Sequence, residues 1–587
     1  MKLSDYIVDF LVKQNIKYVF GITGGSIIHV FDSIGKNKDI NYICTQHEQA
    51  SAMAADAYSR MTRNLGVAIS TSGPGATNLL TGVACSYYDS TPVLIITGQV
   101  PTTKLKKESQ VRQIGFQETD VINIFKPITK YAVLIEDPKK IRYELEKAIY
   151  LAKSGRPGPV LLDIPDDVQR SEINPEELES YDWARGFYIP EINIKQIKEC
   201  ISLIKQAKRP IIILGSGIKS GKAEKKIKQF IKKLGFPFAL TWGALDLFES
   251  ENPLNAGCFG INSSRIGNFA VQNSDLVIAL GTKLDTHHTG VQNTFAREAK
   301  KIMVDIDKSE IEKFKKYNLN IDVAINNNVN NFLDSISTEL DCLKTQDISE
   351  WISKIKEWKK KYPSCTSEYF NQKEFVNPYV FIELLSKCLK EEDIIITDTG
   401  ANLAQTMQGY KPKNNQKLFS SFNHSPMGYA LPASIGACFA NNKKPIVCII
   451  GDGGMQMNIQ ELATIVKHNL PIKIFVFNNS GYGMIKQTQD DWLNSTYEAS
   501  CIEKGIAVPD FISIGKAYGL QTEKISNHQE LEEKIKKVLN NSVGTLCEVN
   551  ISEEQRILPM LKAGRPIEDS NPLLEREEFF NNMIVKP

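Results

Sequence analysis

Short runs of wholly apolar, β-rich residues recur along this chain, each followed by a stretch whose apolar side chains carry helical spacing. In the first third these runs are Tyr18-Val-Phe20, Val67-Ala-Ile-Ser70, Pro92-Val-Leu-Ile-Ile96 and, after Gly155-Arg-Pro-Gly-Pro159, Val160 to Ile164. Helical stretches begin near Ser4, Ser26, Glu48 and Ala76. A strand that is apolar on both faces must be covered on both faces. Strands alternating with helices therefore predict parallel sheets with helices on either side.

The pattern restarts twice. A chain of 587 residues is too long for one core, and domains run to roughly 100–200 residues. Pro210 to Leu214, Phe238 to Thr241, Leu276 to Leu280 and Ile302 to Asp305 read as strands of a second unit that starts near Ile192. Ile394 to Ile396, Ile446 to Ile450 and Ile472 to Phe477 read as strands of a third, opening near Asn377. The expected fold is α/β, with three Rossmann-like domains over residues 1–180, 190–345 and 370–551. A tail rich in charge and proline, 552–587, is expected to wrap over a surface. Pro175 to Asp182 reads as a linker, and Asn326 to Asn331 with the Lys-rich stretch Trp351 to Lys361 as a second surface connection.

Lys and Arg number 70 against 68 Asp and Glu, a net charge of +2. That balance gives no chain-wide attraction to nucleic acid or to an anionic membrane, and neither is expected as a partner. The eleven cysteines are scattered with no C-x-x-C pair, as reduced, packed thiols would be. No apolar h-region follows Met1, and the longest apolar runs are far too short to span a bilayer. A cytoplasmic protein is expected.

Gly451-Asp452-Gly453 follows the run Ile446 to Ile450 and precedes a helical segment from about Asn458; Asn478-Asn479 ends the next strand. Ligands of open α/β sheets sit at the carboxyl ends of strands, so both clusters should share one rim. Asp452 and Asn479 offer hard oxygen atoms suited to Mg²⁺, and the glycines admit backbone N–H groups to a diphosphate. Alone, Gly-Asp-Gly is ordinary turn chemistry; the paired asparagines reverse that balance. Glu48, in Cys44-Thr-Gln-His-Glu-Gln-Ala50, also has two readings. Thr45-x-x-Glu48 has the form of a capping box, whereas a carboxyl group lined by Ala50, Ala52, Met53, Ala54 and Ala55 suits proton sharing with a ligand.

This spacing resembles the thiamine-diphosphate-binding motif, and the motifs together resemble acetolactate synthase large subunits over most of the chain. They are Val19 to Gly25, His47-Glu-Gln49, Thr71-Ser-Gly-Pro-Gly-Ala-Thr-Asn78 and Gly115-Phe-Gln-Glu-Thr-Asp120, then Pro426 to Pro432, Gly451 to Leu462 and Gly483-Met484. The resemblance implies thiamine diphosphate and Mg²⁺ as cofactors. It makes Asp452 and Asn479 side-chain metal ligands, with Gly481 offering its carbonyl. It places the diphosphate against Thr399, Gly400, Ala401 and Asn402, with Gly453, Gly454, Tyr482, Gly483 and Met484 also at the cofactor. Met427 becomes the prop that bends the cofactor, and Gly24 and Gly25 line it on the glutamate side. Glu48 hydrogen-bonds the aminopyrimidine ring and so promotes loss of the thiazolium C2 proton. Phe116 and Gln117 reach the bound keto acid.

The activity implied is decarboxylation of a 2-keto acid, pyruvate by default, with transfer of the acyl carbanion to a carbonyl acceptor. The family builds each site from two chains, which implies a homodimer or homotetramer. An idle scaffold should have lost Glu48, Asp452 or Asn479, and all three are present. Two departures stand out. Gly21-Ile-Thr-Gly-Gly25 replaces the usual Gly-Tyr-Pro-Gly-Gly, and Thr488 occupies the position of a tryptophan that helps select the acceptor. A nucleotide-linked keto sugar is therefore an alternative acceptor; simple decarboxylation is the third reading. Gly267 to Asp275, Gly281-Thr-Lys-Leu-Asp285 and Asp305-Ile-Asp307 resemble the family's FAD region, with Lys283 where arginine is frequent. FAD is expected on that ground, the alternative being a flavin-free structural domain; Gly215-Ser-Gly217 adds a weak dinucleotide hint, since the third glycine of the fingerprint is absent. His287-His288 reads as a solvated loop pair rather than a metal site.

Overall fold

A computed structural model of the chain describes residues 1–183, 191–340 and 343–587. Residue 190, expected to open the central domain, and residues 341–342, near its expected end, lie outside the described residues.

The first sheet contains β1 (Tyr18–Gly21), β2 (Asn41–Cys44), β3 (Gly66–Ser70), β4 (Val93–Gln99), β5 (Tyr131–Leu134) and β6 (Val160–Pro165). The second contains β7 (Pro210–Leu214), β8 (Phe238–Leu240), β9 (Asn255–Cys258), β10 (Leu276–Leu280), β11 (Lys300–Asp305) and β12 (Val323–Asn326). The third contains β13 (Ile394–Thr397), β14 (Lys417–Phe419), β15 (Ile446–Gly451), β16 (Ile472–Asn478), β17 (Gln521–Ile525) and β18 (Thr545–Asn550). Every pairing between neighbours is parallel, as in β1 with β3 and β13 with β15. Residues of β3, β4, β6, β7 and β10 are buried throughout, so both sheet faces are covered, as their apolar composition requires.

Strand order is β2-β1-β3-β4-β6-β5 in the first sheet and β14-β13-β15-β16-β18-β17 in the third. These are the same order, so the outer sheets are topological copies. The middle sheet runs β12-β11-β10-β7-β8-β9, the order of dinucleotide-binding folds. Each sheet has a central point where the order reverses: between β1 and β3, between β7 and β10, and between β13 and β15. Ligands of such sheets bind there, beyond the strands' carboxyl ends, and the segments 21–25, 71–78, 281–285, 399–402 and 451–453 each end or follow a strand flanking one of the three points.

The first and third units pack directly on one another through a shared apolar cluster that includes Met53, Ala54, Tyr58, Leu431, Ile435 and Phe439. The helices Glu48–Thr62 and Ala430–Ala440 cross so closely that a Cβ on Gly436 would lie 1.9 Å from the Ala54 carbonyl oxygen. Beside them the buried Asp56 carboxylate accepts from Arg60 Nε, Ser86 Oγ and the Tyr429 hydroxyl, while Arg60 also pairs with Asp89.

Three local readings of the sequence need correction. Trp351–Lys361 is no surface connection: the helix Ser349–Lys361 buries Trp351, Ile355 and Trp358. Asn326–Asn331 spans the end of β12 and the start of the helix Val329–Leu340 rather than a loop. The helix after Gly451 begins at Asp452 itself, not near Asn458. The tail lies over the second unit: Arg265 Nη1 donates to Ser570 O at 3.0 Å, Asn273 Nδ2 to Asn582 O at 3.0 Å and Trp358 Nε1 to Asn582 Oδ1 at 2.8 Å.

Candidate active site

At the third sheet's reversal point the loops after β13, β15 and β16 meet. Asp452, 2% exposed, heads the helix Asp452–Met457. Its Oδ1 accepts from Gly453 N at 2.6 Å, and its Oδ2 from Asn479 N at 3.2 Å and Gly481 N at 3.1 Å. Burial pushes its carboxyl up to about 6 against those N–H groups and the charge of Lys486. An oriented carboxylate, short of countercharge at the mouth of a crevice, fits a divalent cation. Among the described residues no three His, Cys, Asp or Glu side chains form a metal cluster. A single carboxylate suits Mg²⁺ shared with phosphate oxygens, not an all-protein cage.

Close packing accounts for several glycines here. A Cβ on Gly453 would lie 2.4 Å from Tyr482 Cε1 and 3.0 Å from Met427 Cε, and one on Gly483 would lie 2.6 Å from Asn479 Nδ2. Gly400 holds φ +128°, open to glycine alone, at the start of the helix Ala401–Gly409. Thr399 Oγ1 pairs with Ser425 Oγ at 2.7 Å. Asn402 is buried and its Nδ2 donates to Asp398 O at 2.7 Å, so its amide ties this loop together. Asp398 accepts from Gly428 N and Ala430 N, each at 2.9 Å, and so fixes the turn that presents half-buried Met427. Its carboxyl is pushed up to about 7 by burial.

The first sheet's reversal point carries the other set. The loops after β1 and β3 are stitched by Ser26 N to Thr71 Oγ1 at 3.3 Å and by the Ser26 and Ser72 hydroxyls at 2.9 Å. A Cβ on Gly24 would run into Thr71, whereas one on Gly25 meets nothing within 4 Å, so Gly25 faces open space. Glu48 is the first residue of its helix, capped by His47, whose ring accepts from Gln49 N at 3.1 Å. The Thr45–Glu48 capping box does not form; Thr45 Oγ1 instead donates to His47 O. Glu48 is free of the capping task, and its Oε2 accepts from Asn78 Nδ2 at 2.9 Å. Gln117, at φ +64°, packs on Gly73, and Phe116 beside it is 85% exposed. The loop bearing both is folded round buried Glu118, whose carboxylate accepts from Lys106 N at 2.5 Å and Ile114 N at 2.9 Å.

Each sheet therefore gathers its own set of expected residues. Among the described residues no hydrogen bond joins Glu48, Gly24, Gly25 or Gln117 to Asp452 or Asn479 within the chain. Asp398 and Ser425 carry no signal of their own in the sequence, because their partners are side chains or backbone groups brought in by the fold; Asn78 stands in the Thr71–Asn78 motif, but its bond to Glu48 is not legible there.

The second sheet's reversal point opens on a cavity of about 990 Å³ walled by all three units. Arg156, Gly215, Gly281, Lys283 and Asp305 lie on it, with basic side chains from each unit around them. Its size and charge fit a dinucleotide. The Gly215-Ser-Gly217 hint has another cause: a Cβ on either glycine would strike the backbone of Gly281, within 2.1 and 2.7 Å. His287 and His288 are not solvated. His287 packs on Trp242 with ring centroids 4.3 Å apart, and burial pushes it down to about 4. His288 Nδ1 lies 2.8 Å from Asp285 Oδ1, and both histidines line the cavity.

Comparison with known proteins agrees with this architecture. Residues 1–124, 197–336 and 398–549 match the N-terminal TPP binding domain, the central domain and the C-terminal TPP binding domain of thiamine pyrophosphate enzymes. Acetolactate synthase large subunit of Cyanidium caldarium is 34% identical over 568 residues, covering 95% of this chain and 94% of its own. The probable acetolactate synthase large subunit of Methanocaldococcus jannaschii is 34% identical, covering 96% and 94%. Acetolactate synthase isozyme 1 large subunit of Escherichia coli is 32% identical, covering 96% of each. The chain belongs to the thiamine pyrophosphate enzyme family, as an acetolactate synthase large subunit-like member of it. Among the described residues no helix is long and apolar enough to cross a membrane.

Proposed function

We propose that this chain decarboxylates pyruvate and joins the remaining two-carbon unit to a second carbonyl compound, with acetolactate as the default product. The observation that carries the reading is the pair of prepared half-sites at equivalent points of two matching sheets. Glu48 is held by Asn78 at one, and Asp452 is aimed by three backbone N–H groups at the other. Thiamine diphosphate, when bound, supplies the electron sink for breaking the bond to the carboxylate.

The chain's own groups do the rest. Asp452, Asn479 and the Gly481 carbonyl hold Mg²⁺; Thr399, Gly400, Ala401, Asn402, Gly453 and Gly454 surround the diphosphate. Met427, Tyr482, Gly483 and Met484 fix the cofactor's position, and Gly24 and Gly25 admit its other end. Glu48, positioned by Asn78, would set its carboxyl group against the pyrimidine. Gln117 orients the keto acid through its amide and Phe116 excludes water from it. Glu48 and Asp452 of one site come from different chains of a homodimer or homotetramer. In support, Val111, Ile114 and Phe116, on the segment that also bears Gln117, are each exposed, as residues awaiting a partner would be. FAD would fit the cavity among the three units, whose wall carries Lys283 and Arg156. Free, mostly buried thiols suit the reducing cytoplasm.

A second reading keeps the donor and changes the acceptor to the keto group of a nucleotide-linked sugar. It is favoured by Thr488, which bonds back to Met484 O in its helix while Trp492, one turn on, is 71% exposed. The test is pyruvate consumption with thiamine diphosphate, Mg²⁺ and FAD, with products analysed in the absence of added acceptor. Acetolactate at turnover rates, reduced at least about 100-fold by Glu48→Gln, is the expected result. Slow CO₂ release with little acetolactate would favour the sugar acceptor. No turnover by protein that binds the cofactor would remove pyruvate as donor.

A further inference from the structure

Glu461 ends the short turn Ile459–Glu461 that follows the Asp452–Met457 helix of the third unit. It is 0% exposed, and among the described residues no lysine, arginine or histidine pairs with it. Oε1 accepts from Gln46 N at 2.8 Å and His47 N at 3.1 Å, and Oε2 from Thr464 Oγ1 at 2.8 Å. Burial pushes its carboxyl up to about 7, opposed by those three donors. An unpaired buried carboxyl is a costly way to join two domains, and an apolar contact would serve adhesion better.

The N–H groups it receives belong to the two residues immediately before Glu48. The residue after Glu48 is gripped as well: Gln49 Nε2 donates to Asn458 Oδ1 at 3.4 Å, while Asn458 Nδ2 donates to Gly428 O at 2.8 Å, next to Met427. The third unit of its own chain thus holds the backbone before Glu48 and the side chain of the residue after it, and Asn78 of the first unit fixes the carboxyl group. We propose that Glu461 is a positioning residue for Glu48, setting where the helix carrying it begins and so where its carboxyl group meets the cofactor. The inference rests on the proposed role of Glu48.

Replacement by glutamine preserves the geometry. Its Oε1 accepts both N–H groups, and its Nε2 donates to Thr464, whose hydroxyl turns to receive it. Alanine leaves the two N–H groups without a partner and frees the start of the helix. The experiment uses the full-length holoenzyme with thiamine diphosphate and Mg²⁺, following by NMR the exchange of the cofactor's C2 proton in D₂O, alongside cofactor affinity. Glu461→Ala should slow exchange by about 10- to 100-fold, the effect of a misplaced reacting group. Cofactor affinity should stay within about threefold, since binding lies with the other half-site. Glu461→Gln should exchange at nearly the wild-type rate, and Glu461→Asp, which shortens the reach, should be slowed and stands in if the alanine variant fails to assemble. Wild-type exchange in the alanine variant, or equal slowing by Ala and Gln, would overturn the proposal. Glu48→Gln in the same assay separates the two ideas. If it exchanges normally, the role of Glu48 falls; if it alone is impaired, only the role of Glu461 falls.

Discussion

Asp163, near the carboxyl end of β6, is 1% exposed and accepts from Thr97 Oγ1 at 2.6 Å and Gln99 Nε2 at 2.9 Å. Gln99 Nε2 also donates to Thr119 O at 3.0 Å, two residues from Gln117, so this buried pair braces the loop at the substrate end. Burial pushes the Asp163 carboxyl from 3.8 up to about 7 against the two donors, helped by the like charge of Asp120. A carboxyl raised in the folded state stabilises it fully below its unfolded value and loses that contribution as pH rises through the folded one. Asp163 therefore costs stability progressively between about pH 4 and pH 7. Asparagine keeps both bonds, accepting from Gln99 and donating to Thr97, and does not ionise. Relative to wild type, Asp163→Asn should gain on the order of 1–3 kcal/mol between pH 5 and pH 8. Urea unfolding of both proteins at the two pH values measures it, and parallel curves would show that Asp163 does not titrate in that range.

The crossing of the helices Glu48–Thr62 and Ala430–Ala440 depends on Gly436, where a Cβ would meet the Ala54 carbonyl. Gly436→Ala should cost about 1–3 kcal/mol by overpacking. Gly35, in the helix Ile28–Lys36, is the contrast: a Cβ there meets nothing within 4 Å, so Gly35→Ala should be neutral or stabilise by up to about 1 kcal/mol. Thermal melts of the pair separate the two effects, and equal shifts would contradict the packing argument. The same contrast explains what could be read in the sequence. Central strands such as β7, β10 and β16 announce themselves because both faces are buried and nearly every residue is apolar. The edge strands β2 and β17, partly exposed and containing Asn41 and Glu523, do not. The helix Ser349–Lys361 was hidden by its lysines, although Trp351, Ile355 and Trp358 recur on one face. Of the two readings of Glu48, the capping box at Thr45 does not form because His47 caps the helix instead, a choice between neighbours that spacing alone does not make.

For the whole molecule, the residues expected at the two half-sites could be picked out in the sequence because they cluster at strand ends, within a few positions of one another. The sequence could not show what aligns them. Glu461 lies 415 positions from the N–H it receives at Gln46, and that N–H carries no side-chain signature. Among the described residues the Glu48 and Asp452 sets lie at separate sheets with no hydrogen bond between them. If each site takes Glu48 from one chain and Asp452 from another, two inactive variants should restore each other. In a hybrid dimer of Glu48→Gln with Asp452→Asn, one site carries both substitutions and the other carries neither. Random pairing at equal expression makes about half the dimers hybrids, each with one intact site of two, so activity should recover to about a quarter of wild type. Separate expression followed by mixing without subunit exchange should give none. Co-expressed variants that remain inactive, in dimers shown by mass to be hybrids, would place both half-sites of each centre in the same chain. The exposed group at Val111, Ile114 and Phe116 would then need another covering.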